Sequence, residues 1–293
     1  MSATASVHSL TYYPVKGCAG VSVAVADVTE TGLDHDRTFM VVSEEDGAFR
    51  SQRNDPRLAV VGVEVLDEGK RLRLTAPGAD ALDLDVALDG ERREVSLFGR
   101  PMGEAVDQGP RVADWFSGFL GAPCRLVRVR PGFDRDGWGE HSPGASPGRY
   151  PHGKVNFADA HALSVTSLAS LDALNARILE RGADPVPMDR FRPNIVITGW
   201  PDPHTEDRFR HMTLGTVGLG YSVRAMRCAV PMVDQATGRT AGPEPIRTLA
   251  GYRREPDYDG KVSFATKAAV LRAGAIAVGD EVHVQVWEDG VQR

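Results

Sequence analysis

The residues of this 293-residue chain that could do chemistry begin with a single cysteine, Cys228. It lies in Arg227-Cys228-Ala229-Val230-Pro231-Met232-Val233-Asp234-Gln235-Ala236-Thr237-Gly238, where a strand-like stretch meets a turn. A guanidinium beside a thiol at a chain reversal favours the thiolate, the form that attacks electrophiles or binds a soft metal. A lone cysteine in a β segment also reads as a small buried apolar residue, so its surroundings must decide. Four more side chains fall near strand ends: Lys16 in Tyr13-Pro14-Val15-Lys16-Gly17-Cys18, Arg37 in Asp36-Arg37-Thr38-Phe39, and Arg192 with Asn194 in Phe191-Arg192-Pro193-Asn194-Ile195-Val196. Brought together, they would form a pocket for a phosphorylated, hydrogen-bonding ligand. Kept apart, each cation is an ordinary surface ion pair. Spacing leaves both readings open.

Other patterns carry less. Gly144-Ala145-Ser146-Pro147-Gly148 fits the G-x-S-x-G string of a nucleophile elbow, but Pro143 and Pro147 bracket the serine in a loop, whereas the motif works only between a strand and a helix. Gly215, Gly218 and Gly220 have no helix after them to receive a phosphate. Asp34-His35-Asp36 cannot turn three consecutive side chains onto one ion and reads as a solvated turn. No two of the eight histidines stand at helical zinc spacing. Cys18, Cys124 and Cys228 are more than 100 positions apart, which suits neither a disulfide framework nor a paired-cysteine metal site.

The elements that must position these residues are mostly strands. With 31 Gly and 19 Pro, the apolar residues fall into many short runs. β-type patterning appears at Val21-Val23-Val25, at residues 38–42 and 59–65, at Leu72-Leu74 and Leu82-Leu84-Val86, and at residues 94–98 and 125–129, with a turn at Asp89-Gly90. Val112, Trp115, Phe116 and Phe119 share a helical face closed by Gly121. Residues 1–130 are therefore expected to form one strand-rich domain. Residues 131–153, crowded with Gly, Pro and charge, form a loop or linker that could cover the site as a lid. Residues 154–293 form a second β-rich domain. In it Ser167 caps a helix bearing Leu168, Leu171, Leu174 and Ile178, closed by Gly182. Strands follow at 194–198, 212–219, 222–230 and 281–286. A net charge of −6 argues against a non-specific nucleic-acid binder. No apolar run approaches the roughly 18 residues that span a membrane, and no export signal is evident, so a cytoplasmic protein without membrane attachment is expected.

The segments around Lys16, Arg37, Arg192 and Cys228, together with Gln52-Arg53-Asn54-Asp55-Pro56-Arg57-Leu58 and Glu244-Pro245-Ile246-Arg247-Thr248-Leu249, occur in an order that resembles the MOSC family. Within it, they are similar to bacterial relatives of the mitochondrial amidoxime-reducing component, over residues 12–286. The resemblance implies a mainly β fold with some helix, an N-terminal MOSC-type β-barrel followed by a MOSC β-barrel, and the molybdenum cofactor, molybdopterin, held between them. It puts Cys228 at the molybdenum ligand. It puts Lys16, Gly17, Arg37, Asp159, Ser167, Arg192, Asn194 and Arg227 at cofactor-binding positions. Gly17 and Met226 stand where some relatives carry serine, so hydrogen bonds made there by hydroxyls would be missing or supplied by backbone. The implied activity is reduction of small N-hydroxylated compounds by oxygen-atom transfer. No cysteine follows Cys228, so electrons are expected from a separate flavin or iron–sulfur protein. A sulfur carrier with a persulfide on Cys228, or a cofactor-binding module without turnover, is the alternative.

Overall fold

The computed structural model describes residues 4–137 and 153–288. Nine strands form the largest sheet, whose main path runs Val282–Trp287, Phe209–Leu214, Val217–Met226, Lys261–Arg272, Leu163–Ser167, Ile195–Thr198, Ser6–Tyr12 and Val21–Val23, with Arg254–Glu255 paired beside it. A five-stranded sheet runs Arg92–Leu97, Arg100–Asp107, Cys124–Val129, Phe39–Ser43 and Val15–Lys16. Two three-stranded sheets flank these. Neither large sheet closes on itself among the described residues, so the mainly β class holds while the expected barrels are open. Register shifts along the pairings of Val217–Met226 with Lys261–Arg272 bend the large sheet without sealing its edges.

Two strands near the start of the chain also pair with strands distant in sequence. Ser6–Tyr12 pairs antiparallel with Ile195–Thr198, and Val25–Thr29 pairs with Gly274–Ala277. The early and late parts of the chain are thus hydrogen-bonded into common sheets. One core takes Val7, Leu10 and Val28 from the first and Leu163, Ile195, Ile197 and Leu219 from the second.

Two of the three α-helices among the described residues fall where the apolar periodicity puts them. Helix α1 (Pro110–Leu120) buries Val112, Phe116 and Leu120, and Trp115 Nε1 donates to the Asp80 carbonyl at 2.7 Å. Helix α2 (Leu168–Glu180) buries Leu174 and Ile178 and starts at Ser167, whose hydroxyl accepts from the Ser170 amide at 3.2 Å. Residues 212–219, expected as one strand, instead reverse at Gly215-Thr216 into a hairpin. The later expected strand, 222–230, ends at Met226, which puts Arg227 and Cys228 beyond the ladder. The strand Lys261–Arg272 has no clean alternation because Val262 to Thr266 are all buried, as in a strand covered on both faces. The G-x-S-x-G serine and most of the lid segment lie outside the described residues. Among the described residues, no helix is long and apolar enough to cross a membrane.

Gly199 lies just after the strand that receives Ser6–Tyr12. It has φ +87, and a Cβ there would stand 2.7 Å from the Thr4 carbonyl oxygen. Gly199→Ala should therefore push the first strand away and lower stability by roughly 1–3 kcal/mol, read as a shifted urea midpoint at unchanged slope. A midpoint within error of wild type would contradict this account of the seam.

Candidate functional site

Where the five-stranded sheet meets the large one, loop ends from both converge on one cleft. Cys228 is partly buried on its wall, beside Arg227 and Met226. The same cleft takes Lys16, Gly17 and Arg37 from the N-terminal part, Asp159 from the segment before Leu163–Ser167, and Arg192 and Asn194 from the approach to Ile195–Thr198. Of the residues singled out in the sequence, Ser167 alone is not among those lining it.

The backbone that aims these side chains is constrained. Arg37 (φ 49) and Arg192 (φ 51) both sit in the left-handed region, uncommon for residues with a Cβ and frequent at functional sites. The Arg37 amide donates to the Tyr13 carbonyl at 2.7 Å, and its own carbonyl accepts from the Phe157 amide at 3.0 Å. The Tyr13 ring then serves as a shared support. The Arg37 and Arg192 guanidinium carbons lie 4.7 and 4.2 Å from its centroid. Its hydroxyl donates to the Pro193 carbonyl at 3.1 Å. Burial pushes the Tyr13 phenol up to about 12, against the pull of the two arginines, so the support stays neutral. Asp36 is buried, correcting the solvated-turn reading. Its carboxylate accepts from the Tyr13 amide at 2.7 Å and pairs with the Arg37 guanidinium.

The polar groups divide into those satisfied by the protein and those left facing the cleft. Asn194 Oδ1 accepts from Arg37 Nη1 and from the Ser164 amide, both at 3.1 Å, and Asn194 Nδ2 donates to the Thr11 carbonyl at 3.1 Å. Arg192 donates to the Cys18 carbonyl at 2.6 Å and to Gln235 Oε1 at 3.1 Å. Lys16 pairs with Asp159. Burial alone would push that carboxyl up, but Lys16, Lys267 and Arg37 outweigh it and hold it well below the usual range. Arg227 donates to the carbonyls of Phe264 and Phe191 at 2.8 and 3.1 Å, while its buried Nη2 has no partner among the described residues. Cys18, the other cysteine near the cations, is fully buried and pushed up to about 12 by burial, which leaves it a thiol.

Sequence reasoning missed several members of the cleft. Lys267 lines it from the middle of Lys261–Arg272, with no hydrogen-bond or ion-pair partner among the described residues. Burial, then repulsion from Arg227 and Arg37, pushes its ammonium down to about 7. The apolar run around it hid the strand, and with it the lysine. Gln52 donates to the Gly17 carbonyl at 2.6 Å and exchanges amide bonds of 3.1 and 2.9 Å with Gln235, joining the two halves behind the cleft. Phe49, Phe98 and Arg53 complete the rim.

The donor set fits an anionic, phosphate-bearing cofactor with a soft metal. Among the described residues the buried Arg227 Nη2 lacks an acceptor and Lys267 makes no direct ion pair, and a partly buried sulfur lines the same cleft. Ser167 is committed elsewhere. Its hydroxyl caps α2, donates to Glu206 Oε2 at 2.9 Å and lies 2.8 Å from Ser170 Oγ, and the residue does not line the cleft. Ser167→Ala should cost about 1–3 kcal/mol in denaturation while leaving bound metal content unchanged; loss of metal from a stably folded variant would return Ser167 to the site. Lys267 should titrate near pH 7 in protein from a host lacking molybdopterin. As pH rises through that value the cleft loses one positive charge and gains a reactive amine. Competitive acetylation read by mass spectrometry should show this midpoint, and a midpoint near that of free lysine, 10.5, would refute it.

Comparison with known proteins bears on the whole assembly. Residues 4–123 match the MOSC N-terminal beta barrel domain and residues 152–283 the MOSC domain. The chain is 32% identical to mitochondrial amidoxime reducing component 2 of Rattus norvegicus, over 96% of this chain and 83% of the relative. It is 30% identical to mitochondrial amidoxime-reducing component 1 of Homo sapiens, over 95% and 82%. The molybdenum cofactor sulfurase of Danio rerio is 32% identical over 90% of this chain, which spans only 32% of that longer protein. Matched in both parts, in order, and along nearly its full length, the chain belongs to the MOSC family.

Proposed function

We propose that this protein is a molybdenum-cofactor-dependent reductase of N-hydroxylated compounds, such as amidoximes, hydroxylamines and N-hydroxylated nucleobases. The observation that carries the reading is the meeting of a partly buried cysteine with Lys16, Arg37, Arg192 and Arg227 in one cleft. The names of the relatives support it, since amidoxime reducing components and a molybdenum cofactor sulfurase both align along this chain.

Bound molybdopterin with its molybdenum supplies the two-electron reduction that splits the N–O bond. The chain does the rest. Cys228 offers a soft sulfur ligand to the metal, next to Arg227 on the cleft wall. Lys16, Arg37, Arg192 and Arg227 grip the phosphate end as charge-assisted donors. Asn194 acts through Arg37, whose guanidinium it orients, because all three of its own hydrogen bonds go to protein. Asp159 holds Lys16 at the wall, and the Gly17 carbonyl accepts from Gln52 at 2.6 Å. Electrons arrive from a separate flavin or iron–sulfur protein.

Protein purified from a molybdopterin-producing host should contain near-stoichiometric molybdenum by mass spectrometry and reduce benzamidoxime with an artificial donor. Cys228→Ala should lose the metal and at least about 100-fold in turnover. A metal-free wild-type protein carrying a persulfide on Cys228 would establish the sulfur-carrier alternative instead.

A further inference from the structure

Phe98 occupies a place that neither local propensity nor core packing explains. It forms, with Gly99, the two-residue tip of the hairpin between Arg92–Leu97 and Arg100–Asp107, and both residues have positive φ, 54 and 78. Such tips favour Asn-Gly or Asp-Gly, and a bulky residue with a Cβ is strained there. The ring is not repaid by burial, since Phe98 is 47% exposed. It faces the cleft. Its centroid lies 5.9 Å from that of Phe49 in an edge-to-face pair, with the Arg53 guanidinium over it at 4.7 Å. Strain, exposure and orientation in one residue point to a ligand that rests on it.

We propose that Phe98, backed by Phe49, is the surface on which the ring of an aromatic N-hydroxylated substrate settles, so that the protein selects aryl amidoximes and N-hydroxylated heterocycles over their aliphatic counterparts. This rests on the reductase reading above. A planar ring gains from an aromatic wall through stacked or edge contacts that an alkyl group makes poorly. Depth sets it apart from the resident cofactor, since the Lys16 ammonium lies beneath the two rings, 5.0 Å from the Phe49 centroid and 6.0 Å from that of Phe98. Phe98 and Arg53 are exposed at the rim, where a molecule that enters and leaves at each turnover passes, whereas the cations assigned to the phosphate, Lys16 above all, lie deeper.

The test compares benzamidoxime with acetamidoxime on molybdenum-loaded protein. Wild type should prefer the aryl compound at least tenfold in kcat/KM. Phe98→Ala should cut that preference about five- to twentyfold through KM, Phe98→Tyr should retain it, and metal content should not change. Without reductant, the Kd of benzamidoxime should weaken by a similar factor in Phe98→Ala. Equal effects on both substrates, an unchanged Kd, or loss of molybdenum from Phe98→Ala would overturn the proposal, the last by showing that the ring holds the cofactor. A wild-type protein that holds molybdenum but reduces neither amidoxime would instead bring down the reductase reading, while the reductant-free Kd still decides whether aryl groups rest on Phe98.

Discussion

Collecting like charges in a partly dry cleft is the constraint around which this molecule is arranged. Lys16, Arg37, Arg192, Arg227 and Lys267 share one wall system, answered nearby by Asp36 and Asp159. Burial pulls Lys16, Arg192 and Arg227 below their ordinary ranges despite neighbouring acceptors. Each cation is therefore held at a cost in solvation that a bound anion offsets. The chain tolerates this by giving each guanidinium a backbone carbonyl, a side-chain oxygen or an aromatic face, while leaving Arg227 Nη2 unpartnered among the described residues. An acceptor-rich phosphate is the complement such an arrangement lacks.

Geometry precise enough for this comes from elements that cannot move independently. Tyr13 ties the start of the chain to Pro193, and Asn194 ties Arg37 to Thr11 and Ser164. The Gln52–Gln235 exchange joins two loops otherwise distant in sequence. Behind them Phe191 and Phe264 stack at 3.9 Å and close the wall that accepts Arg227. The positive-φ arginines are held by backbone hydrogen bonds, Arg37 through both its amide and its carbonyl and Arg192 through its amide to the Asp189 carbonyl.

Much of the fold was legible from local pattern. Alternation disclosed Leu72-Leu74 and Leu82-Leu84 because those strands are buried on one face, and helical spacing disclosed α1 and α2 for the same reason. The strand Lys261–Arg272 was not legible, since double-sided burial erases the period, and Lys267 was hidden with it. The early strand Ser6–Tyr12 alternates weakly and finds its partner nearly two hundred residues away, a pairing no local signal encodes. At the site, residue types suggested an anion pocket, but only family resemblance brought Gly17, Asp159 and Ser167 into view. Resemblance could not reveal that Ser167 is occupied by α2 and Glu206. Asp36 was misread because sequence shows its charge and not the amide it faces.

The crossing of Ser6–Tyr12 and Gly274–Ala277 into each other's territory has an evolutionary corollary. The stretch matched by the N-terminal family description and the stretch matched by the MOSC description are separable as text, yet not as folded objects. A recombination event that transplanted the later stretch alone would leave Ile195–Thr198 with a bare edge and Leu10 missing from its core. Inheritance of the two stretches as one block is therefore what the hydrogen bonding favours.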